Sequence, residues 1–356
     1  MKIVMSHFIR FLKDWTLPVA IAVGTVCYLV FQSVSALDAA GTVLAPIFDF
    51  LLPLFVFLTL FITFCKIDFH QMRPHRWHCG VLVAQLILVG VVTGVCLMTG
   101  DEGDGEFPCK LLFEALLTCI IGPSAAAAPV VVGKLGSNIS TMTAFTLLSA
   151  FVSALLIPLV FPLLEQTVHA DFLSAFLIIL RMVFVVLLLP LLLGWVVQHR
   201  APSLARRIAS IPNLGFYTWA VSLAITAGIT VKNIMHSEAT PVLLAAIAAA
   251  SLLLCFVQFF IGRAIGRRLS GKRHESGSGD SQSPDKTSYE IVINAAQALF
   301  QKNTGLSIWV SYMYLSPVAS IGAGCYVLWQ NIINSAEIWA YNNGKAGLLS
   351  SSPCES

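Results

Sequence analysis

The chain has 356 residues, of which 57% are hydrophobic and 11% charged, and its mean hydropathy is +0.83. Soluble domains carry about 25% charged residues, so this composition excludes an ordinary globular enzyme. The formal net charge of +3 reflects an orientation signal described below and not a nucleic-acid partner.

A helix needs about 20 mainly apolar residues to cross hydrocarbon. Taken in chain order, the sequence predicts ten such spans: 15–33, 43–64, 79–99, 110–132, 140–164, 172–197, 213–231, 239–262, 289–313 and 315–335. The apolar runs are continuous, which points to helices and not to the alternating pattern of a membrane barrel. Lys2, Arg10 and Lys13 before a run ending SVSALDAAG also fit a signal peptide, but the run is long, and a retained first helix is expected. The acidic loop DEGDGE (101–106) follows the third span. The fourth is interrupted by GPSAAAAP (122–129) and the ninth by QKNTG (301–305). Between the eighth and ninth, SGKRHESGSGDSQSPDKTS (270–288) reads as a flexible cytoplasmic linker, and 341–356 as a disordered tail.

The basic residues orient these spans. With the N-terminus in the cytoplasm, the inner segments collect nearly all of the 21 lysines and arginines. Only Lys110 and Lys232 fall outside, while Arg181 and Lys302 fall within spans. This is a strong positive-inside asymmetry and puts both termini in the cytoplasm. The nine cysteines show no CxxC or Cys/His ligand spacing, so neither a disulfide framework nor a zinc site is expected. The histidines of FHQMRPHRWH (69–78) read as a solvated basic loop.

Ten spans divide into two sets of five, residues 1–168 and 169–340, and an odd number per set inverts the second. The two interrupted spans occupy corresponding positions. Each break lies ~18–20 Å along its span, near the bilayer midplane. Corresponding breaks in inverted halves point to a binding site of a transporter. Pro123 and Pro129 each lack an amide hydrogen and oppose a carbonyl four residues back. The small residues around Ser124 allow another helix to approach. A proline kink with small-residue packing remains the simpler alternative for this span.

Lys302 lies too deep to snorkel easily, and a central charge costs about 3 kcal/mol on insertion scales. Two roles are open to it: capping carbonyls freed by the break, or presenting a fixed cation to an ion or anionic substrate. Gln301, Asn303 and Thr304 add amide and hydroxyl groups that serve either. Arg181 must meet a carboxylate, carbonyls or water. Asp49 and Glu114 occur at comparable depth, so a buried ion pair is expected, with anion binding as the alternative.

GPSAAAAPVVVGKLGSNISTMTAFTLLSAFVSALLIPLVFPLL (122–164) and QKNTGLSIW followed by SPVASIGAGCYVLWQNIINS (301–335) resemble the fourth, fifth, ninth and tenth helices of the bile acid:sodium symporter family, in a bacterial-type form. LPLLLGWVV (189–197) is similar to the sixth. The resemblance implies an all-α polytopic fold of ten helices in two inverted five-helix repeats. Helices 3–5 and 8–10 would form a core and helices 1, 2, 6 and 7 a panel, with helices 4 and 9 discontinuous and crossing. It further implies sodium-driven transport of organic anions such as bile acids or small carboxylates, and location in the inner (plasma) membrane.

The departures bear on the ion. The family's Ser-Asn pair falls here within Ala126–Pro129, its glutamate at about Ala298, and its glutamine before Asn303 has become Lys302. Thr146 and Ser149 match hydroxyl positions of the fifth helix. The expectation is therefore a transporter without a cofactor or tightly bound metal, in which Lys302 supplies the charge that sodium supplies elsewhere. A milder form keeps one sodium on Thr146, Asn303 and backbone carbonyls. No HExxH, GxSxG or diaspartyl pattern is present, so an enzyme is not expected; a sensor built on the same fold is the rival. Oligomeric state is left open.

Overall fold

The computed structural model describes residues 16–34, 36, 38–66, 74–99, 108–164, 172–211, 214–271 and 284–342. These fold almost entirely into helices: α1 (Thr16–Ser33), α2 (Asp38–Cys65), α3 (Arg76–Met98), α4 (Cys109–Ile121), α5 (Ala128–Lys134), α6 (Ile139–Leu164), α7 (Phe172–Val183), α8 (Leu189–Arg200), α9 (Pro202–Ser210), α10 (Leu214–Met235), α11 (Pro241–Gly271), α12 (Pro284–Phe300), α13 (Thr304–Tyr314) and α14 (Pro317–Asn342). A π-helical turn, Phe184–Leu188, joins α7 to α8. Among the described residues, five helical stretches are long and apolar enough to cross a bilayer.

Polarity is arranged inside out relative to a soluble domain. Phe50, Leu155, Val242 and Leu253 are each more than 60% exposed on the outer surface. Thr146, Ser149, Gln258, Gln297 and Asn334 are fully buried. A solvent that is itself apolar removes the penalty on exposed leucine and leaves polar groups to find partners within the bundle. The architecture is that of an integral membrane protein.

The interruptions have identifiable causes. Gly122 is extended (φ −62°, ψ 155°) because the residue before a proline is pushed out of the helical region, so Pro123 ends α4. Pro129, which the alternative of a simple kink would put inside a continuing helix, sits in the first turn of α5, where its missing N–H would have had no helical partner. Pro190 removes another amide, and the preceding π turn absorbs the defect: Leu189 N–H reaches back to the Phe184 carbonyl. The end of α5 closes on Gly136, whose φ of +68° is open to glycine at little cost. Ser137 N–H then bonds the Val132 carbonyl (2.9 Å) and Gly136 N–H that of Gly133 (3.2 Å), the Schellman pairing.

The helix ends follow the expected spans, with extensions. The eighth stretch continues as α11 to Gly271 and the ninth begins at Pro284, so the expected linker narrows to 272–283, outside the described residues. The last helix runs to Asn342, and the rest of the expected tail, 343–356, also lies outside them, as do 101–106 and residues 1–15. The central apolar cluster joins Leu52 and Val56 of α2, Leu117 and Ile120 of α4, Ile157 of α6 and Leu306 and Ile308 of α13. Close approach holds other pairs: a Cβ on Gly322 of α14 would overlap the Ala115 backbone of α4.

Candidate functional site

The segments 122–127 and 301–303, which separate α4 from α5 and α12 from α13, meet in the interior. Ala125 N–H donates to the Gln301 carbonyl (2.9 Å) and Asn303 N–H to the Pro123 carbonyl (2.9 Å). Ser124 and Lys302 thus form an antiparallel bridge, two rungs of sheet pairing buried among helices. Backbone freed from helix inside an apolar medium costs several kcal/mol per unpaired group, and each break pairs part of the other's.

Side chains pair most of the remainder. Ser149 Oγ accepts from Ser124 N–H (2.6 Å), and Ser153 Oγ donates to the Ile121 carbonyl (3.0 Å). Gln85 Nε2 donates to the carbonyls of Ile120 (3.2 Å) and Gly122 (3.1 Å). On the other break, Tyr326 Oη donates to the Phe300 carbonyl (2.7 Å). Gln330 accepts from Lys302 N–H (3.0 Å) and donates to the Lys302 carbonyl (3.3 Å). Asn303 caps α13, its Oδ1 accepting from Leu306 N–H (3.3 Å). Ser307 lies directly against Gly122, where any Cβ would strike its hydroxyl.

Several polar atoms at the crossing are buried yet have no hydrogen-bond partner among the described residues: Ser124 Oγ, both amide atoms of Gln301, Lys302 Nζ and Ser307 Oγ. Lys302 is 1% exposed, and no acidic group among the described residues pairs with its ammonium. The capping role open to it from sequence is thus filled by Gln330, Tyr326 and Asn303. Lys302, Asn303, Thr304 and Gly305, with Ala125 and Ala126, line one wall of a small cavity. Val56 and Thr59 of α2 and Trp219, Ser222 and Thr226 of α10 contribute to the opposite wall. Its volume of about 30 Å³ holds about two waters or a small ion, and anything larger requires the walls to part.

The sequence-predicted site residues divide. Pro123, Ser124, Ser149, Gln301, Lys302 and Asn303 converge at the crossing, and Thr304 lines the cavity beside it. Thr146 is buried one turn from Ser149, but its hydroxyl donates into its own helix, to the Met142 carbonyl (3.0 Å). Pro129 serves only to start α5. Arg181, expected to be buried, is exposed, on a face shared with Leu177 and Ile178, while Ile179 and Val183 are buried. Depth along a span does not say which face a residue occupies, and a long cationic side chain on the outer face can reach along the helix toward water. Glu114 is fully buried in α4, so the two do not share an environment; the side chain of Asp49 lies outside the described residues.

Sodium, implied by the family resemblance, does not fit this donor set. Ala125–Pro129 and Ala298 bring no side-chain oxygen or carboxylate, Asn303 Oδ1 is engaged as a cap, and a buried ammonium stands where a hard cation would need oxygens. Gln85, Gln330 and Tyr326 were missed from sequence, although each is a polar group within an apolar run, which is the signal that singled out Lys302. The chain matches no protein-family model and no curated protein.

Proposed function

We propose that the chain is a secondary active transporter of an organic anion, bile-acid-like or a small carboxylate, similar in plan to the bile acid:sodium symporters but independent of sodium. In this reading residues 1–168 and 169–340 are inverted five-helix repeats. The broken helices α4/α5 and α12/α13 belong to a core, and α2 and α10 belong to a panel against which the core moves. The protein would sit in the inner (plasma) membrane with both termini in the cytoplasm, acting by alternating access.

The observation that carries the reading is Lys302, whose Nζ is buried without a counter-charge among the described residues and which lines a cavity bounded by the crossing on one side and by α2 and α10 on the other. An unpaired buried cation is costly and is retained where a ligand supplies the missing charge. Hydroxyls of Ser222, Thr226 and Thr304 around the same cavity would orient a carboxylate, with Trp219 offering an apolar contact; that of Thr59 donates to the Phe55 carbonyl (2.7 Å).

Uptake of labelled organic anions into proteoliposomes tests the proposal. Uptake that proceeds with potassium in place of sodium and disappears in Lys302→Met supports it. Sodium-stimulated uptake that persists in Lys302→Ala overturns the role given to Lys302.

A further inference from the structure

Beyond the crossing, toward the end of the bundle that the charge pattern assigns to the cytoplasm, a second set of polar side chains is buried between α11, α12 and α14. Gln297 Nε2 of α12 donates to Glu337 Oε2 of α14 (2.7 Å). Arg263 of α11 is the charged group nearest that carboxylate in electrostatic effect, and its own guanidinium lies over the Phe259 ring at 5.2 Å. Gln297, Arg263 and Glu337 are all at most 5% exposed.

This set reaches the backbone of Lys302. Gln330, which holds the Lys302 backbone, lies on the same face of α14 as Asn334 and Glu337, at helical spacings of four and three residues. Gln301 likewise follows Gln297 by one turn. The rung Lys302/Gln330 and the rung Gln297/Glu337 are therefore separated by about 10 Å along α14. Between them come Gln301 and Asn334, both at most 1% exposed. Neither polar atom of either amide has a hydrogen-bond partner among the described residues. Gln297 Oε1, Asn331 Oδ1 and two Arg263 nitrogens, Nε and Nη2, are likewise without a hydrogen-bond partner among the described residues. Orphaned buried amides are costly, and a column of them is the setting in which proteins hold ordered water.

We propose that this column is a hydrated proton path linking Lys302 to the cytoplasmic face through Glu337. The Lys302 ammonium releases a proton to the adjoining water. Each water along Gln301 and Asn334 accepts one proton and passes another, and the Glu337 carboxylate takes it up and gives it to cytoplasmic water. Loading runs in reverse, and no other reactant is consumed. The groups facing Glu337 are Arg263 from α11 and Tyr289 from α12, with Tyr341 on its own helix facing Tyr289. Arg263 offsets part of what burial costs the carboxylate's charge. No acidic or basic group among the described residues acts on Lys302. The inference rests on the Lys302-centred reading above and adds to it a route by which Lys302 gains and loses its proton.

The test needs no identified substrate. Proteoliposomes carrying the full chain are adsorbed on a solid-supported membrane, and a pH jump is applied with inorganic buffer alone. Wild type is expected to give a transient charge displacement that is absent in Lys302→Met. In Asn334→Leu and Glu337→Gln it is slowed on the order of a hundredfold, the scale of losing a positioned proton-transfer group. Gln297→Leu provides a further variant should either fail to fold by thermal shift. Transients in the folded column variants that match wild type, with Lys302→Met silent, overturn the path while leaving anion uptake untouched. Absence of any wild-type transient also overturns it, and loss of anion uptake in wild type would instead remove the transport reading.

Discussion

Gln330 holds both backbone polar groups of Lys302, accepting from its N–H at 3.0 Å and donating to its carbonyl at 3.3 Å. One amide side chain on α14 thus replaces the two helical hydrogen bonds that residue 302 gives up. Gln330→Ala leaves the Lys302 N–H buried without a partner, while its carbonyl keeps the Thr304 N–H (2.9 Å), and should destabilise the protein by about 1–3 kcal/mol. Asn331→Ala, whose Nδ2 bonds only within its own helix, should cost less than about 1 kcal/mol. Apparent Tm in nanodiscs separates the two.

Gly122 and Ser307 form a complementary pair across the crossing. Gly122→Ala should lower apparent Tm because the new methyl meets the Ser307 hydroxyl. Adding Ser307→Ala should recover most of the loss, since residues in direct contact couple by about 0.5–3 kcal/mol in a double-mutant cycle.

Lys302→Met separates binding from scaffold. The ammonium makes no hydrogen bond among the described residues, so removing it should leave apparent Tm unchanged or raised, within the ~1–4 kcal/mol gained when buried ionic groups become apolar. Anion uptake should be lost in the same protein. A fall in Tm would return Lys302 to a structural role.

Arg181→Gln should leave both uptake and stability close to wild type, within about 0.5 kcal/mol, as for surface positions away from special features. Its exposure on α7 removes the reason to expect more.

What was legible in the sequence and what was not follow from separate physical causes. Apolar run length placed the helices, because hydrocarbon thickness sets it, but it missed the polar ends of α11 and α14, which run on to Gly271 and Asn342. The two breaks were visible because proline, glycine and a lysine with three polar neighbours stand out in such runs. The opposite fates of Lys302 and Arg181 were not visible. Both are cations deep within a span, and only the packing of neighbouring helices decides which face turns inward. Nor did sequence distinguish a kink at Pro129 from a new helix start, which depends on whether the preceding segment has a partner to pair with. The amides of Gln85 and Gln330 read as incidental until the backbone groups they hold were located.

The account depends on the two broken helices meeting at Ser124 and Lys302. In a cysteine-free background, Ser124→Cys and Lys302→Cys are introduced together with a protease site within 272–283. A directly opposed antiparallel pair without mutual hydrogen bonds has Cα atoms about 4.5 Å apart, within disulfide range. After oxidation and cleavage, the account predicts one band on a denaturing gel that splits on reduction. Two bands regardless of oxidant, in protein that remains folded, would contradict it.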